Sequence, residues 1–186
     1  VSASLSGGVS ASLSQIHSGS YETVSAANRC VAVWSLGDPT ATNRKITTEA
    51  KMLEGPAGVK HNAGIALNYR ESETVAGVFV YHVVSFDYDD QVLRISWFNG
   101  SVFTVLAEAN AVGLQLNEWY RITATVVPGP VDGATTIIAQ LTSVLGGLFD
   151  VNLAVDVTTY LPSTGTFGLC TNRALSRFGY IQIEES

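Results

Sequence analysis

The chain has 186 residues, 46% of them hydrophobic and only 14% charged, with a formal net charge of −6 and a pI near 4.9. That much apolar material excludes disorder over most of the chain, and an acidic balance with no Lys/Arg cluster excludes a nucleic-acid partner, since phosphate binding needs grouped cations that release counterions. No apolar run approaches the roughly 18 residues of a membrane span, the longest from Val75 to Val84 being interrupted by His82, so no membrane insertion is expected and one globular domain is the default.

The first Lys or Arg is Arg29, so the beginning lacks the positive segment of a secretory signal. Val1 could follow removal of an initiator Met or mark a cut within a longer polypeptide. An imperfect repeat, Val1-Ser2-Ala3-Ser4-Leu5-Ser6-Gly7-Gly8 and then Val9-Ser10-Ala11-Ser12-Leu13-Ser14, alternates apolar residues with serine. That is a strand period with one greasy and one hydroxyl face. Residues 1–27 therefore read as a Ser-rich arm that pairs with another sheet or another subunit of an assembly, or else as a flexible Ser/Gly linker.

From Asn28 onward, residues 28–186 read as strand after strand separated by turn residues, the pattern of a sandwich or barrel. Strands are expected near Cys30–Ser35, Lys45–Leu53, Gly64–Arg70, Val75–Val84, Val92–Phe98 and Val102–Ala107, then Trp119–Val127, Thr135–Leu141, Leu148–Asp156, Thr166–Thr171 and Arg177–Glu184. Asn99-Gly100 between apolar runs predicts a tight hairpin, because such turns need positive backbone angles.

Several segments in fixed order carry a resemblance. They are Asn62-Ala63-Gly64-Ile65-Ala66-Leu67-Asn68-Tyr69-Arg70, Val78-Phe79-Val80-Tyr81-His82-Val83, Val92-Leu93-Arg94-Ile95-Ser96-Trp97-Phe98-Asn99-Gly100 and Asn117-Glu118-Trp119-Tyr120-Arg121-Ile122. Gly165-Thr166-Phe167-Gly168-Leu169-Cys170 and Arg177-Phe178-Gly179-Tyr180-Ile181 follow near the end. This order resembles the concanavalin A-like lectin/glucanase superfamily, including its laminin-G-like members. The resemblance implies an all-β, two-sheet antiparallel jelly roll over roughly Arg29 to Glu184; it does not imply a function, since the architecture hosts many.

Glycosidases on such a scaffold place two carboxylates on alternate residues of one strand, which share a face. Glu71 and Glu73 have the spacing but sit in a Glu-Ser-Glu-Thr loop, so a solvated hairpin is expected instead. Asp87, Asp89 and Asp90 form the densest carboxylate cluster, and hard oxygen ligands of this kind could hold calcium, which is also common in the superfamily that the chain resembles. His17, His61 and His82 show no zinc-like spacing, and no nucleophile elbow or phosphate-cradling loop occurs. Cys30 and Cys170 lie near opposite ends of the domain; a disulfide is one expectation, two small buried apolar residues the other.

Strand parity sets Ile65, Leu67 and Tyr69 against Asn68 and Arg70, Leu93, Ile95 and Trp97 against Arg94 and Ser96, and Tyr120 and Ile122 against Arg121 and Thr123. If these strands share one sheet, its outer face is a cationic strip of Lys51, Asn68, Arg70, Arg94 and Arg121, joined by His82. Bidentate Arg donors in such a strip would suit acidic sugars, although any sheet with one wet face alternates in this way. The expectation is thus a non-catalytic carbohydrate-binding or adhesin-like domain, extracellular or on a virion surface such as a tail fibre, with a glycan and other protein subunits as partners. The alternatives are a structural assembly or capsid-decoration domain that binds no sugar, and a glycoside hydrolase or polysaccharide lyase.

Overall fold

The computed structural model describes residues 43–53, 61–131, 134–145, 150–158, 166–172 and 175–185, together with the backbone of strands at 3–6, 13–17, 20–23 and 29–34. The strands are β1 (Ala3–Ser6), β2 (Leu13–His17), β3 (Ser20–Thr23), β4 (Arg29–Trp34), β5 (Arg44–Met52), β6 (Asn62–Glu71), β7 (Phe79–Asp87), β8 (Val92–Phe98), β9 (Phe103–Asn110), β10 (Tyr120–Pro128), β11 (Thr135–Ser143), β12 (Asp150–Val157), β13 (Thr166–Asn172) and β14 (Ser176–Glu185). They form two antiparallel seven-stranded sheets. The first runs β1-β4-β13-β6-β7-β8-β9 and the second β12-β11-β10-β5-β14-β3-β2. Among the described residues no helix is long and apolar enough to cross a membrane.

Alternation builds this sandwich. In β10, Tyr120, Ile122, Ala124 and Val126 are buried while the residues between them are exposed or half-buried, and β11 repeats the pattern with Ile137, Ala139 and Leu141. Ile65, Leu67, Phe86, Leu93, Ile95, Phe167, Ile122 and Phe178 meet between the sheets as one core at 0–1% exposure. Each such side chain contributes about 1.5–3 kcal/mol of transfer free energy. Neighbours in sequence are neighbours in the sheet along β6-β7-β8-β9, whereas β13 and β14 end the chain one in each sheet, beside β4 and β6 and beside β5 and β3. This is the jelly-roll layout.

The N-terminal strands lengthen these sheets: β1 pairs with β4, and β3 pairs with both β14 and β2. Residues 7–12 of the Ser-rich repeat lie outside the described residues. The strand expected from Val75 instead begins at Phe79, because residues 72–78 form a turn in which the Glu71 carboxylate accepts the Gly77 N–H at 2.5 Å. At the expected hairpin Gly100 has φ +94°, and Asn99 Oδ1 accepts the Ser101 and Val102 N–H groups.

One irregularity matters for the site. Asn68 has φ +55°, and the β6–β7 register slips between Leu67 and Arg70, placing two residues of β6 opposite one of β7. Such a bulge reverses which face the following side chains take. Tyr69 therefore turns away from the core and packs on Phe79 and Tyr81, at ring centroid distances of 5.1 and 5.5 Å.

Candidate functional site

Registered pairs share a face, so the pairing tables fix what each face of the first sheet carries. On the face turned away from the core, one row runs Cys170, Gly64, Ser85, Arg94, Glu108 across β13, β6, β7, β8 and β9. The next runs Gly168, Ala66, Val83, Ser96, Val105, and beyond it Tyr81, Phe98 and Phe103 stand side by side. The middle of these rows is built from Gly, Ala and Ser. Missing side-chain volume at Gly64, Ala66, Ser85 and Ser96 leaves a hollow between larger neighbours.

That hollow is a cavity of about 150 Å³ lined by Asn62, Ser85, Asp87, Arg94 and Ser96 on its polar side and by Tyr81, Val83, Phe103 and Val105 on its apolar side, with Cys170 and Thr171 completing the wall. Its aromatic end is a packed cluster. Tyr81 lies 5.0 Å from Phe98 and 6.4 Å from Phe103, and Phe98 lies 4.9 Å from Phe103. Phe103 is half-buried, so part of it stays open, while Val105 beside it is 52% exposed.

At the polar end Arg94 is held by three carboxylates. Its Nε donates to Glu108 at 2.5 Å, its Nη2 to Asp90 at 2.7 Å and its Nη1 to Asp87 at 3.3 Å. Burial works against the charge, but the hydrogen bonds to Glu108 and Asp90 outweigh it and hold the guanidinium pKa above its ordinary value. Asp87 is almost fully buried, and its other oxygen accepts the Asp90 N–H at 3.0 Å. The β7–β8 turn thus presents its carboxylates to one arginine.

The three carboxylates of the calcium expectation face two different partners. Asp87 and Asp90 face Arg94, whereas Asp89 turns the other way and accepts from the His61 backbone N–H at 2.5 Å and from His61 Nδ1 at 2.9 Å. Among the described residues no group of three His, Cys, Asp or Glu side chains converges as metal ligands would. Cys170 is buried, in no disulfide, and stands opposite Val31, while Cys30 stands opposite Thr171, one register step away. Adjacent register positions project to opposite faces, so this pairing does not favour the disulfide; the Cys30 side chain lies outside the described residues.

The expected cationic strip is divided between the sheets. Lys51 on β5 and Arg121 on β10 belong to the second sheet, where Lys51 Nζ sits 5.1 Å over the Trp119 ring and Arg121 Nη2 donates to Glu49 Oε1 at 2.8 Å. Sheets in a sandwich stand about 10 Å apart, and these side chains point away from the first sheet. Asn68, Arg70 and His82 lie on the core side of the bulge. His82 is 2% exposed, its ring 4.8 Å from that of Trp97, and its Nδ1 accepts from Asn68 Nδ2 at 3.4 Å. Burial first, and the Arg70 charge second, lower the His82 pKa to about 4. Arg70 itself donates to Glu73 Oε1 at 2.6 Å, which ties Glu73 into the loop. Of the expected ligand-binding residues the structure brings only Arg94 to the cavity. Asn62, Ser85, Ser96 and Phe103 were not singled out as ligands, and Asp87 only for calcium, although reading Tyr81, Val83, Ser85 and Asp87 as one face of β7 would have found Ser85.

No protein-family model and no curated protein matches the chain. Solved structures do. The carbohydrate-binding module CBM66 from Bacillus subtilis is similar with a TM-score of 0.63 at 13% identity, covering 88% of this chain and 86% of that one. The CBM2 module of the evolved Dit of Lactobacillus casei BL23 phage J-1 gives 0.52 at 13% identity, covering 97% and 88%. The alginate lyase vAL-1 from Chlorella virus gives 0.51 at 10% identity, covering 85% and 76%. Identities this low speak for fold alone, and the fold is a two-sheet antiparallel jelly roll, as the ordered segments led one to expect.

Proposed function

We propose that this jelly-roll domain is a non-catalytic glycan-binding module whose site is the cavity on the outer face of the first sheet. The observation that carries the reading is the division of that cavity, with Phe103, Tyr81, Val83 and Val105 along one side and Asn62, Ser85, Asp87, Arg94 and Ser96 along the other. A sugar ring has the same two-sided character, apolar C–H faces and a hydroxyl rim, and such sites combine apolar walls with a few placed polar groups. The paired carboxylates a glycosidase would need are not assembled at Glu71 and Glu73, which serve the loop at residues 72–78. Similarity of fold to two binding modules, one of them from a phage, supports placing the domain on an extracellular or virion surface within a larger assembly.

Glycan-array screening of the intact chain followed by calorimetry tests this. Binding should fall about five- to tenfold in Phe103→Ala, the loss of an aromatic contact of about 1–1.5 kcal/mol, and stay unchanged in Lys51→Ala on the opposite sheet. Equal losses in both variants, or no glycan bound by the parent, would overturn the assignment.

A further inference from the structure

The hollow is long rather than round. Its lining comes from five neighbouring strands of the first sheet, with Cys170 on β13, Asn62 on β6, Ser85 on β7, Ser96 on β8 and Phe103 on β9. Adjacent strands stand about 4.8 Å apart, so the four spacings from β13 to β9 amount to roughly 19 Å. The floor follows two register rows, Gly168, Ala66, Val83 and Ser96 in one and Cys170, Gly64 and Ser85 in the other, in which Val83 is the one larger member. A volume of about 150 Å³ spread along that length makes a narrow trench across the strands.

The sides of the trench run the same way. On the apolar side each strand contributes one aromatic ring, Tyr69 from β6, Tyr81 from β7, Phe98 from β8 and Phe103 from β9, at successive centroid distances of 5.5, 5.0 and 4.9 Å. Tyr81 and Phe103 of this row line the hollow. On the polar side Asn62 and Asp87 stand opposite each other in register, and Arg94 follows on β8. At β9 the sheet ends, and Val105 there is 52% exposed, so the trench opens sideways to solvent.

A repeat of about one strand spacing is also the repeat of a linear chain of pyranose rings. Each ring added along the trench meets a further strand's share of floor and wall, whereas a branched terminus sets its rings side by side, where the walls admit one. The polar groups do not sort ligands by charge. Arg94 uses three of its five N–H donors on Glu108, Asp87 and Asp90, and Ser85, Ser96 and Asn62 can donate as well as accept. Length and linearity are what the shape selects.

Resting on the glycan-binding reading above, we propose that the trench holds an internal stretch of about four units of an unbranched polysaccharide, laid across the strands from β13 to β9.

Calorimetry on the intact chain with linear gluco-, manno-, xylo-, galacto- and mannurono-oligosaccharides of one to six units tests this. In at least one series affinity should rise about threefold or more per unit up to about four units and then level. In amide NMR of the parent, the bound four-unit member should shift Cys170 on β13 and Val105 on β9 together. Cys170→Leu, which raises the floor at the β13 end, should level the rise at two or three units; should that overpacked variant fail to fold, the paired shifts at the two ends decide alone. Affinity unchanged from one unit to six in every series that binds, shifts confined to one end, or array binding restricted to branched termini would overturn the trench and leave glycan binding standing. No glycan bound on the array or in any series would overturn both.

Discussion

His82 gives the fold a pH dependence that can be worked out from its surroundings. The ring is buried against Trp97, its Nδ1 accepts from Asn68 and its Nε2 has no hydrogen-bond partner. Its pKa falls from 6.5 to about 4 on folding, a difference of about 2.5 units, and each unit is worth 1.36 kcal/mol. Above pH 6.5 the ring is neutral in both states, so this stability is fully present. Between pH 6.5 and 4 the unfolded chain takes up a proton that the folded chain refuses, and stability drains away as pH falls, reaching a loss on the order of 3 kcal/mol near pH 4. Urea midpoints at pH 7.5, 6, 5 and 4.5 for the parent and for His82→Phe measure it. From pH 7.5 to 4.5 the parent should lose roughly 2–3 kcal/mol more than the variant, whatever the absolute stability of the variant. Parallel curves, or a ring that titrates near 6.5 in the folded protein by NMR, would refute the burial argument.

Three further substitutions probe what builds the site. A Cβ at Gly64 would come 2.1 Å from the Val84 carbonyl oxygen, so Gly64→Ala must push β6 and β7 apart at the cavity floor; we expect a loss of roughly 1–3 kcal/mol in urea unfolding. Arg94→Met removes the cation between three carboxylates, one of them 1% exposed, and should cost roughly 1.5–3 kcal/mol, whereas Arg121→Ala, an exposed pair with Glu49, should cost about 0–1 kcal/mol by the same measurement. Asn68→Ala places an alanine at φ +55° and should destabilise by about 1 kcal/mol more than Asn68→Gly, which tolerates that angle; equal losses would show that the contact with His82, not the bulge, is what Asn68 provides.

Fold was legible because alternation survives wherever strands are regular. Parity assigned Leu93, Ile95 and Trp97 to one face and Arg94 and Ser96 to the other, and the register agrees. The site was far less legible, for two reasons. The bulge at Asn68 breaks the count, so that Tyr69 joins the outer aromatic cluster and Arg70 the inner side; nothing in Leu67-Asn68-Tyr69 announces this beyond an asparagine, which tolerates positive φ. Strand order in a jelly roll is also non-local. Lys51 and Arg94 lie on strands of similar pattern, and only the crossover that seats β5 between β10 and β14 separates them. Charge spacing therefore suggested one strip where the fold makes two faces.

Those two faces differ in how they treat their side chains. The outer face of the second sheet settles its polar groups internally: Thr47 bonds Thr123 at 3.2 Å, Arg121 bonds Glu49, Lys45 bonds Glu184 at 3.1 Å, Thr136 bonds Asp156 at 2.5 Å and Gln140 bonds Asp150 at 3.2 Å. It is a wet sheet face of the ordinary kind. The outer face of the first sheet departs from that pattern, because alternation places Tyr81, Phe98 and Val83 there and the bulge at Asn68 adds Tyr69. There they are buried as a second apolar cluster, separate from the core between the sheets. Small residues then interrupt the aromatic surface at Gly64, Ala66, Ser85 and Ser96, and the Arg94 network is anchored at the margin of the gap they leave. On the function proposed above, the apolar rings, the hollow and the polar groups at its edge would together suit a hydroxylated ring.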